Sequence, residues 1–422
     1  MSGLIKVFFL ILFSSGIFQF YPMLFFLREG WYVLLFLITL MVLAKQFMEK
    51  GNVLTKFEWY VILTAVFIPF LSAYAANNVF GQPWSFGFLT QRVMVLYFAS
   101  LVLIYLGRFR LITLRQLERV VVFLGWFCLV LYFCIDLTLS PSAFRGARGF
   151  VGGGVVQPYQ FIFKSAFLVF NVLYYFIRGA SGRGFWNFAY TIPFLLFLAF
   201  IDGGRSQFIA LIAAIGIYSL REISFRKIFV SAIPGAILGL ALAFSVNHFM
   251  QDELEHQIGK FSDAISVVLT GEESGDSSAN ARIRETEVAM PYIKENLLLG
   301  NGMLSVQWES GFFSKLGKFA PSDIGLIGLL FVHGVVGLLI VYAQFFFAYM
   351  TTRKFDRRLA SPFVKAIRYF LVYGLLDSLA TGRVVFAGCV SFMFIAMLYI
   401  DLFQRTRKQP ASREMTAGVQ RA

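Results

Sequence analysis

Two glycine-rich breaks between apolar segments carry arginines. Arg145 and Arg148 lie in the stretch SPSAFRGARG, which continues into Gly152-Gly153-Gly154, and Arg205 lies in the stretch DGGRS. A guanidinium group can bind two phosphate oxygens at once, and glycines allow the backbone to approach a ligand closely. These breaks therefore predict a site for an anionic head group such as a pyrophosphate. A local salt bridge between Asp202 and Arg205 is the alternative.

A long polar stretch later in the chain holds its densest set of charged groups. Arg282, Arg284, Glu285 and Glu287 stand close together, and Asp323 follows where the next apolar segment begins. A carboxylate at such a place has two common roles. It caps a helix N-terminus, which is worth about 1 kcal/mol, or it accepts a proton from a reacting hydroxyl group.

Three further side chains are candidates for contact with a ligand. Lys164 lies about two turns inside an apolar segment, where an ionisable group is a functional candidate unless it snorkels to the surface. Arg383 either pairs with Asp377 or faces a ligand. Tyr159 could stack on a sugar, although the preference of aromatic residues for membrane interfaces explains it equally well.

The composition places these groups in a membrane protein. Hydrophobic residues form 58% of the 422 residues and charged residues 14%, whereas soluble domains carry about 25% charged residues. A backbone in lipid must satisfy its own polar groups, in helices or in a closed barrel. Runs such as residues 228–247 lack the alternation of barrel strands, so we expect an all-α polytopic membrane protein. Cys128, Cys134 and Cys389 lie inside apolar segments and predict neither disulfides nor a metal site.

Twelve apolar segments are candidates for transmembrane helices. They lie at residues 4–27, 31–48, 57–75, 91–107, 118–138, 158–178, 186–201, 206–220, 228–247, 324–350, 363–381 and 384–403. The chain then divides into spans one to nine (1–247), a long polar loop (248–322), spans ten to twelve (323–403) and a basic tail (404–422). The seventh and eighth segments are short, so the sequence leaves open whether they cross fully.

Lysine and arginine are unequally distributed between the two sides. If the N-terminus is cytoplasmic, most of these residues fall in cytoplasmic loops and in the tail, as the positive-inside rule requires. Both termini are then inside and the long loop is outside. The same asymmetry accounts for most of the net charge of +14, so nucleic-acid binding is not needed to explain that charge.

The long loop contains two predicted helices. Residues 252–269 carry apolar side chains at helical spacing and predict an amphipathic helix on the membrane surface or on the bundle. The acidic, Gly- and Ser-rich residues 270–280 predict a linker. A second helix is expected from about Ala281, with a kink at Pro291 and an end at Gly300-Asn301-Gly302.

Four stretches of the chain resemble the O-antigen ligase/polymerase superfamily of bacterial membrane glycosyltransferases. In order, they are Arg145…Arg148-Gly149-Phe150 with Gln157-Pro158-Tyr159, then Gly203-Gly204-Arg205-Ser206, then the segment from Ile293 to Gly302 that follows Arg282, and finally Ser322-Asp323-Ile324-Gly325…Gly334-Val335-Val336-Gly337. Together with the span layout they cover most of the chain. Tyr159 stands where the family has Asn, and Ser322-Asp323 stands where its ligases have His. The missing His favours the polymerase branch.

The resemblance implies a glycosyltransferase of the bacterial inner membrane that polymerises oligosaccharide repeat units linked to polyprenyl pyrophosphate on the periplasmic face. It assigns Arg205 and Arg282 to binding of the pyrophosphate. Asp323 is the first candidate for the group that deprotonates or orients the acceptor hydroxyl, and Glu287 and Glu285 are the next candidates. Further contacts with the substrate are expected from a set of cations and one aromatic residue, Arg145, Arg148, Arg284, Lys164, Arg383 and Tyr159. The leaving group is a stable anion that arginines can stabilise, so no general acid, metal or cofactor is expected. A chain-length regulator and a flippase of the same pathway are the implied protein partners.

Two other functions remain open from the sequence. One is a ligase that transfers the lipid-linked glycan to lipid A-core or another acceptor. The other is a transporter of lipid-linked oligosaccharides. A transporter is disfavoured because the chain shows no two equal repeats and its long loop follows the ninth span rather than the centre.

Overall fold

A computed structural model describes residues 2–17, 25–50, 54–139, 151–152, 160–161, 163–182, 184, 186–202, 204–223, 277–355, 360–382 and 388–406. Most of these residues are helical, which confirms the predicted helical class. Within this part of the chain, five helices are long and apolar enough to cross a membrane: Phe26–Glu49, Lys56–Phe80, Trp84–Arg108, Leu114–Thr138 and Gly325–Arg353. The fold is that of a helical membrane protein.

The first half of the chain forms α1 (Ser2–Ser14), α2 (Phe25–Lys50), α3 (Lys56–Phe80), α4 (Trp84–Gln91), α5 (Ala99–Arg108) and α6 (Leu114–Thr138). A 3-10 segment, Arg92–Phe98, joins α4 to α5. A short antiparallel pair follows, formed by β1 (Val151–Gly152) and β2 (Gln160–Phe161). The predicted sixth span, 158–178, therefore begins as a helix only at α7.

The second half contains α7 (Ala166–Ala180), α8 (Trp186–Ala189), α9 (Ile192–Leu196), a π-helical turn (Phe197–Ile201), α10 (Arg205–Glu222), α11 (Ser277–Glu295), α12 (Phe312–Leu316), α13 (Gly325–Arg353), α14 (Pro362–Ala380) and α15 (Cys389–Thr406). A 3-10 turn, Pro321–Asp323, precedes α13. The predicted seventh span is thus built from three short pieces rather than from one helix.

Capping residues fix where several helices begin. Thr55 accepts a hydrogen bond from the Glu58 N–H, and Glu58 accepts one from the Thr55 N–H, which forms a capping box. Thr113 and Gln116 form the same arrangement at the start of α6. Ser361 caps α14 ahead of Pro362, whose missing N–H is not needed at this position. Local sequence therefore defines these three starts.

Polar contacts hold the helix ends together on two opposite faces of the bundle. Face A is defined by Glu58 with Arg108, Glu118 with Tyr174, and Glu222 with Lys365 and Arg368. Face B is defined by Glu29 with Arg92, Ser165 with Gln207, and Ser322 with Gly382. Each long helix with ends in these sets runs from one face to the other. The order of the contacts matches a chain that crosses the bundle back and forth.

The bundle has a large core and a smaller second one. In the large core, α5 packs on α15, and α14 packs on α7 and α10. Aromatic rings fill it, with Tyr60 stacked on both Phe347 and Phe392. The second core lies at face B, where α11 packs on α13 through Ala289, Ile293 and Phe331. This second core attaches the charged helix α11 to the bundle.

Helix α11 differs from its prediction at both ends. It begins at Ser277 instead of about Ala281 and ends at Glu295, before Gly300. Pro291 lies inside it without ending it. Ala289 and Ile293, on either side of the proline, are both buried in the second core. The helix continues through Pro291 to Glu295.

Candidate functional site

A break in α13 organises face B. Gly334 has φ 61° and ψ −170°, which is not helical. In a regular helix the carbonyls of Phe331 and Val332 would accept from the N–H groups four residues later. Here those carbonyls accept from the N–H groups of Asn301 and Gly302 at 2.7 and 2.9 Å, and the N–H groups of Val335 and Val336 donate to Leu297 and Leu298 at 2.9 and 3.1 Å. A segment after α11 thus replaces two helical hydrogen bonds with four of its own.

This segment, residues 297–305, is called here the re-entrant segment. Its glycines permit the close approach. A Cβ atom on Gly300 would lie 2.4 Å from the Gly334 nitrogen, and one on Gly302 would lie 2.3 Å from the Ala76 nitrogen. Both glycines also have positive φ, which other residues rarely adopt. The glycines of the third and fourth family-like stretches therefore meet in space.

The other edge of the re-entrant segment is held by α3 and its neighbours. The Gln82 side chain donates to the Met303 carbonyl at 3.2 Å and accepts from the Ser305 N–H at 2.6 Å. Ser72 Oγ accepts from the Met303 N–H at 3.0 Å. Backbone groups of the segment are therefore satisfied on both edges, by α13 on one side and by Ser72 and Gln82 on the other.

The turn that carries Asp323 is wedged between two helix ends. The Gly382 N–H, at the end of α14, donates to the Ser322 carbonyl at 2.9 Å. Gly325 has φ 54°, and a Cβ atom there would lie 2.3 Å from the Leu379 carbonyl oxygen. Asp323 is exposed on this turn. Its place next to the end of α14 is therefore set by backbone contacts.

Of the two roles considered for Asp323, the N-cap is not observed. The N-cap position of α13 is Ile324, and no side chain caps this helix. Asp323 Oδ1 instead accepts a hydrogen bond from the Ser322 hydroxyl at 3.1 Å. Asp323 is the last residue of the 3-10 turn, and only Ile324 separates it from the first residue of α13. Its carboxylate caps no helical N–H group and is exposed.

Glu285 is the second carboxyl group of this site. Its Oε1 accepts from the Ala320 N–H at 3.3 Å, while Oε2 is buried without a hydrogen-bond partner among the described residues. Burial and the nearby Asp323 carboxylate raise the pKa of Glu285 to about 7, against the lowering effects of the Ala320 N–H and of Arg282. A carboxyl group in this state can exchange a proton near neutral pH.

The predicted site residues lie in different parts of the structure. Arg282 is exposed on α11, one turn before Glu285, and is close enough to affect its pKa. Arg284 and Glu287 are exposed on the same helix, and Lys164 is half-buried at face B just before α7. Arg205 is the first residue of α10, but its side chain lies outside the described part. Four further positions lie outside the described residues: Arg145, Arg148, Tyr159 and Arg383.

The structure therefore brings together Arg282, Glu285 and Asp323. Glu285 ranked behind Asp323 in the sequence because its burial and its neighbour could not be seen there. Asn301 links α11 to the break in α13, whereas the sequence predicts it only as part of a helix end. The signal that could have found it is the pair of glycines around it, since a single glycine is enough to end a helix.

Within the described residues, no group of three or more His, Cys, Asp or Glu side chains could hold a metal ion. No protein-family model matches the chain, and no curated protein matches it at a significant level.

Proposed function

We propose that the chain is an inner-membrane glycosyltransferase that polymerises oligosaccharide repeat units carried on polyprenyl pyrophosphate. The observation that carries this proposal is the half-buried Glu285 carboxyl group beside Asp323, with Arg282 one turn away. These groups lie where the charged helix α11 meets the bundle at face B. The four stretches similar to the O-antigen ligase/polymerase superfamily support the same reaction class.

The reaction needs a base and a site for a departing anion. The acceptor sugar hydroxyl attacks the anomeric carbon of the donor, the bond to the pyrophosphate oxygen breaks, and the pyrophosphate leaves with the electron pair. Glu285 takes the hydroxyl proton, a role suited to a carboxyl group whose pKa is about 7. Arg282 stabilises the charge that develops on the pyrophosphate.

Arg205 is the second cation proposed for the pyrophosphate. It begins the 18-residue helix α10, so the N–H groups of the first turn add to its attraction for an anion. Arg145, Arg148, Arg284, Lys164 and Arg383 are proposed as further contacts with the lipid-linked substrate. This set needs neither a metal nor a cofactor.

Glu285 is proposed as the base in place of Asp323. Asp323 and Glu287 are exposed, whereas Glu285 is half-buried and has its proton affinity raised. In this proposal Asp323 orients the acceptor and raises the pKa of Glu285 through its charge.

Face B is proposed to be periplasmic, with both termini cytoplasmic. Face A contains the cationic Arg108, Lys365 and Arg368, as the positive-inside rule requires. Glu222 at the end of α10 lies at face A and α11 lies at face B; the predicted ninth span, residues 228–247, lies outside the described residues.

The topology predicts which introduced cysteines can be labelled in intact cells. In a variant with Cys134→Ser, a cysteine at Ser274 should react with a membrane-impermeant maleimide, and one at Ser412 should react only after permeabilisation. The reason is that the lipid bilayer excludes the charged reagent from the cytoplasm. Labelling at Ser412 in intact cells would reverse the orientation.

A deletion strain separates polymerase from ligase. We expect its surface glycans to be capped with single repeat units, because flipping and transfer of one unit continue without polymerisation. Gel electrophoresis of the glycans measures this, with the complemented strain as control. Accumulation of long lipid-linked polymer would assign the protein to the ligase class, and an unchanged ladder of chain lengths would contradict both.

A further inference from the structure

Asn301 is a buried polar side chain at face B that uses both its donor and its acceptor atoms. It has an exposed fraction of 0%. Its Nδ2 donates to the Phe331 carbonyl at 3.0 Å and to the Tyr292 carbonyl at 3.3 Å. Its Oδ1 accepts from Asn296 Nδ2 at 2.9 Å. One side chain thus satisfies groups from three places in the chain.

These partners belong to elements that carry the proposed site. Tyr292 lies in the last turn of α11, the helix that presents Arg282 and Glu285, and Asn296 follows its last residue. Phe331 lies two turns into α13, the helix that packs against the 3-10 turn ending at Asp323. The carbonyl of Phe331 is free to accept from Asn301 because the break at Gly334 removes its helical partner. Asn301 therefore connects α11, which contains Glu285, to α13, which follows the turn with Asp323.

We infer that Asn301 is a positioning residue that holds α11 against α13 and so sets the spacing between Glu285 and Asp323. The effect of Asn301 on catalysis rests on the proposed function. Direct contact between α11 and the Asp323 turn includes the hydrogen bond from the Ala320 N–H to Glu285, whose length is 3.3 Å. Such a long bond is weak. The Asn301 side chain adds a buried polar bridge to the backbone hydrogen bonds and to the second core that join α11 to α13.

Removal of the bridge has two consequences. Asn301→Ala removes the Nδ2 donor and leaves the Phe331 and Tyr292 carbonyls with only their backbone donors, the N–H groups of residue 301 and Asn296. Asn301→Asp places a carboxylate oxygen against the same carbonyls. Helix α11 then loses its fixed distance from the Asp323 turn. Glu285 becomes better solvated and less affected by Asp323, which are the two causes of its raised pKa.

The first test measures distance and does not depend on activity. Spin labels are placed on the exposed positions Ala281 and Lys318, as Ala281→Cys and Lys318→Cys, in the full-length protein with Cys134→Ser. Pulsed electron resonance should show a narrow distance distribution in this background and a broadened one after Asn301→Ala. An equally narrow distribution with the same mean would overturn the inference.

The second test measures the pH dependence of turnover by the same variants without labels. The base must be ionised, so activity rises with pH through its pKa. In Asn301→Ala we expect the midpoint of this rising limb to move from about pH 7 towards 4.5, the ordinary pKa of Glu. Turnover at its plateau should fall on the order of 10²-fold, since a misplacement of about 1 Å has this cost.

Asn171→Ala is the matched control. Asn171 is also buried to 0% exposure and donates to the Val122 carbonyl at 3.0 Å, but it lies in α7 within the large core. It should lower thermal stability without changing the label distance or the pH limb. If Asn301→Ala behaves like Asn171→Ala in both readouts, Asn301 has only a structural role. If the wild type shows no transfer at all, the proposed function fails while the distance test still judges the bridge.

Discussion

Glu285→Gln will reduce polymer formation by about 10²-fold or more, the usual size of a general-base contribution. Gln has the shape and hydrogen-bonding length of Glu and can still accept from the Ala320 N–H. It cannot take a proton from the acceptor hydroxyl. Initial rates with the purified enzyme measure the loss, and Glu295→Gln, an exposed change on the same helix, is the control.

The pH dependence supports the same assignment. The wild-type rate should rise with pH to a plateau, with a midpoint at about 7, the pKa of Glu285. The small residual rate of Glu285→Gln should lack this limb. A Gln variant with more than half of the wild-type rate would move the base to Asp323 or Glu287.

Stability measurements separate this catalytic effect from misfolding. The pKa of Glu285 is raised above its ordinary value of 4.5 to about 7, so the folded state favours the protonated form. The stability associated with that form is fully present below about 4.5 and is lost as the pH rises through about 7. Gln mimics the protonated form. At pH 8, Glu285→Gln should therefore unfold at a temperature no lower than the wild type does.

Arg282→Ala and Arg205→Ala will each reduce polymer formation by about 10²- to 10³-fold, the usual effect of removing one donor that stabilises a developing anion. Both guanidinium groups are proposed to bind the departing pyrophosphate. Lysine at either place should restore little activity, because an ammonium group lacks the forked geometry. Polymer length and quantity are measured by gel electrophoresis at matched protein levels.

Arg115→Ala is the control for a general loss of positive charge, since Arg115 is exposed on α6 at face A. It should leave the polymer unchanged. Near-normal polymer from both Arg282→Ala and Arg205→Ala would show that the pyrophosphate is bound elsewhere. Full rescue by lysine would show that charge alone suffices.

The helical bundle could be predicted from the sequence because its signals are local. Apolar runs of sufficient length and a low content of charge define the helices, and pairs such as Thr55 with Glu58 define where they begin. Local sequence is less informative at Asp323. A carboxylate before an apolar span fits either an N-cap or a proton acceptor. In the structure Asp323 ends a 3-10 turn whose position is set by Gly325 and Gly382, and Ile324 takes the N-cap position.

The site depends on contacts between distant parts of the chain. The Glu285 carboxyl group meets the Ala320 N–H across 35 residues of sequence, and Asn301 meets Phe331 across 30. Gly300-Asn301-Gly302 ends a helix by its composition, yet its glycines serve the close packing against α13 and α3. Local propensity cannot reveal such contacts, since they arise only after the helices have packed.

The most direct test of the proposed reaction uses the purified wild-type protein in lipid vesicles with one substrate, an oligosaccharide repeat unit on polyprenyl pyrophosphate. No ion gradient, nucleotide or second protein is added. The products are separated by mass. The proposed function predicts a ladder of lipid-linked oligomers together with free polyprenyl pyrophosphate. One molecule of polyprenyl pyrophosphate is released for each new glycosidic bond. Movement of intact substrate across the vesicle membrane without any oligomer would contradict it and would assign the protein to the transporters.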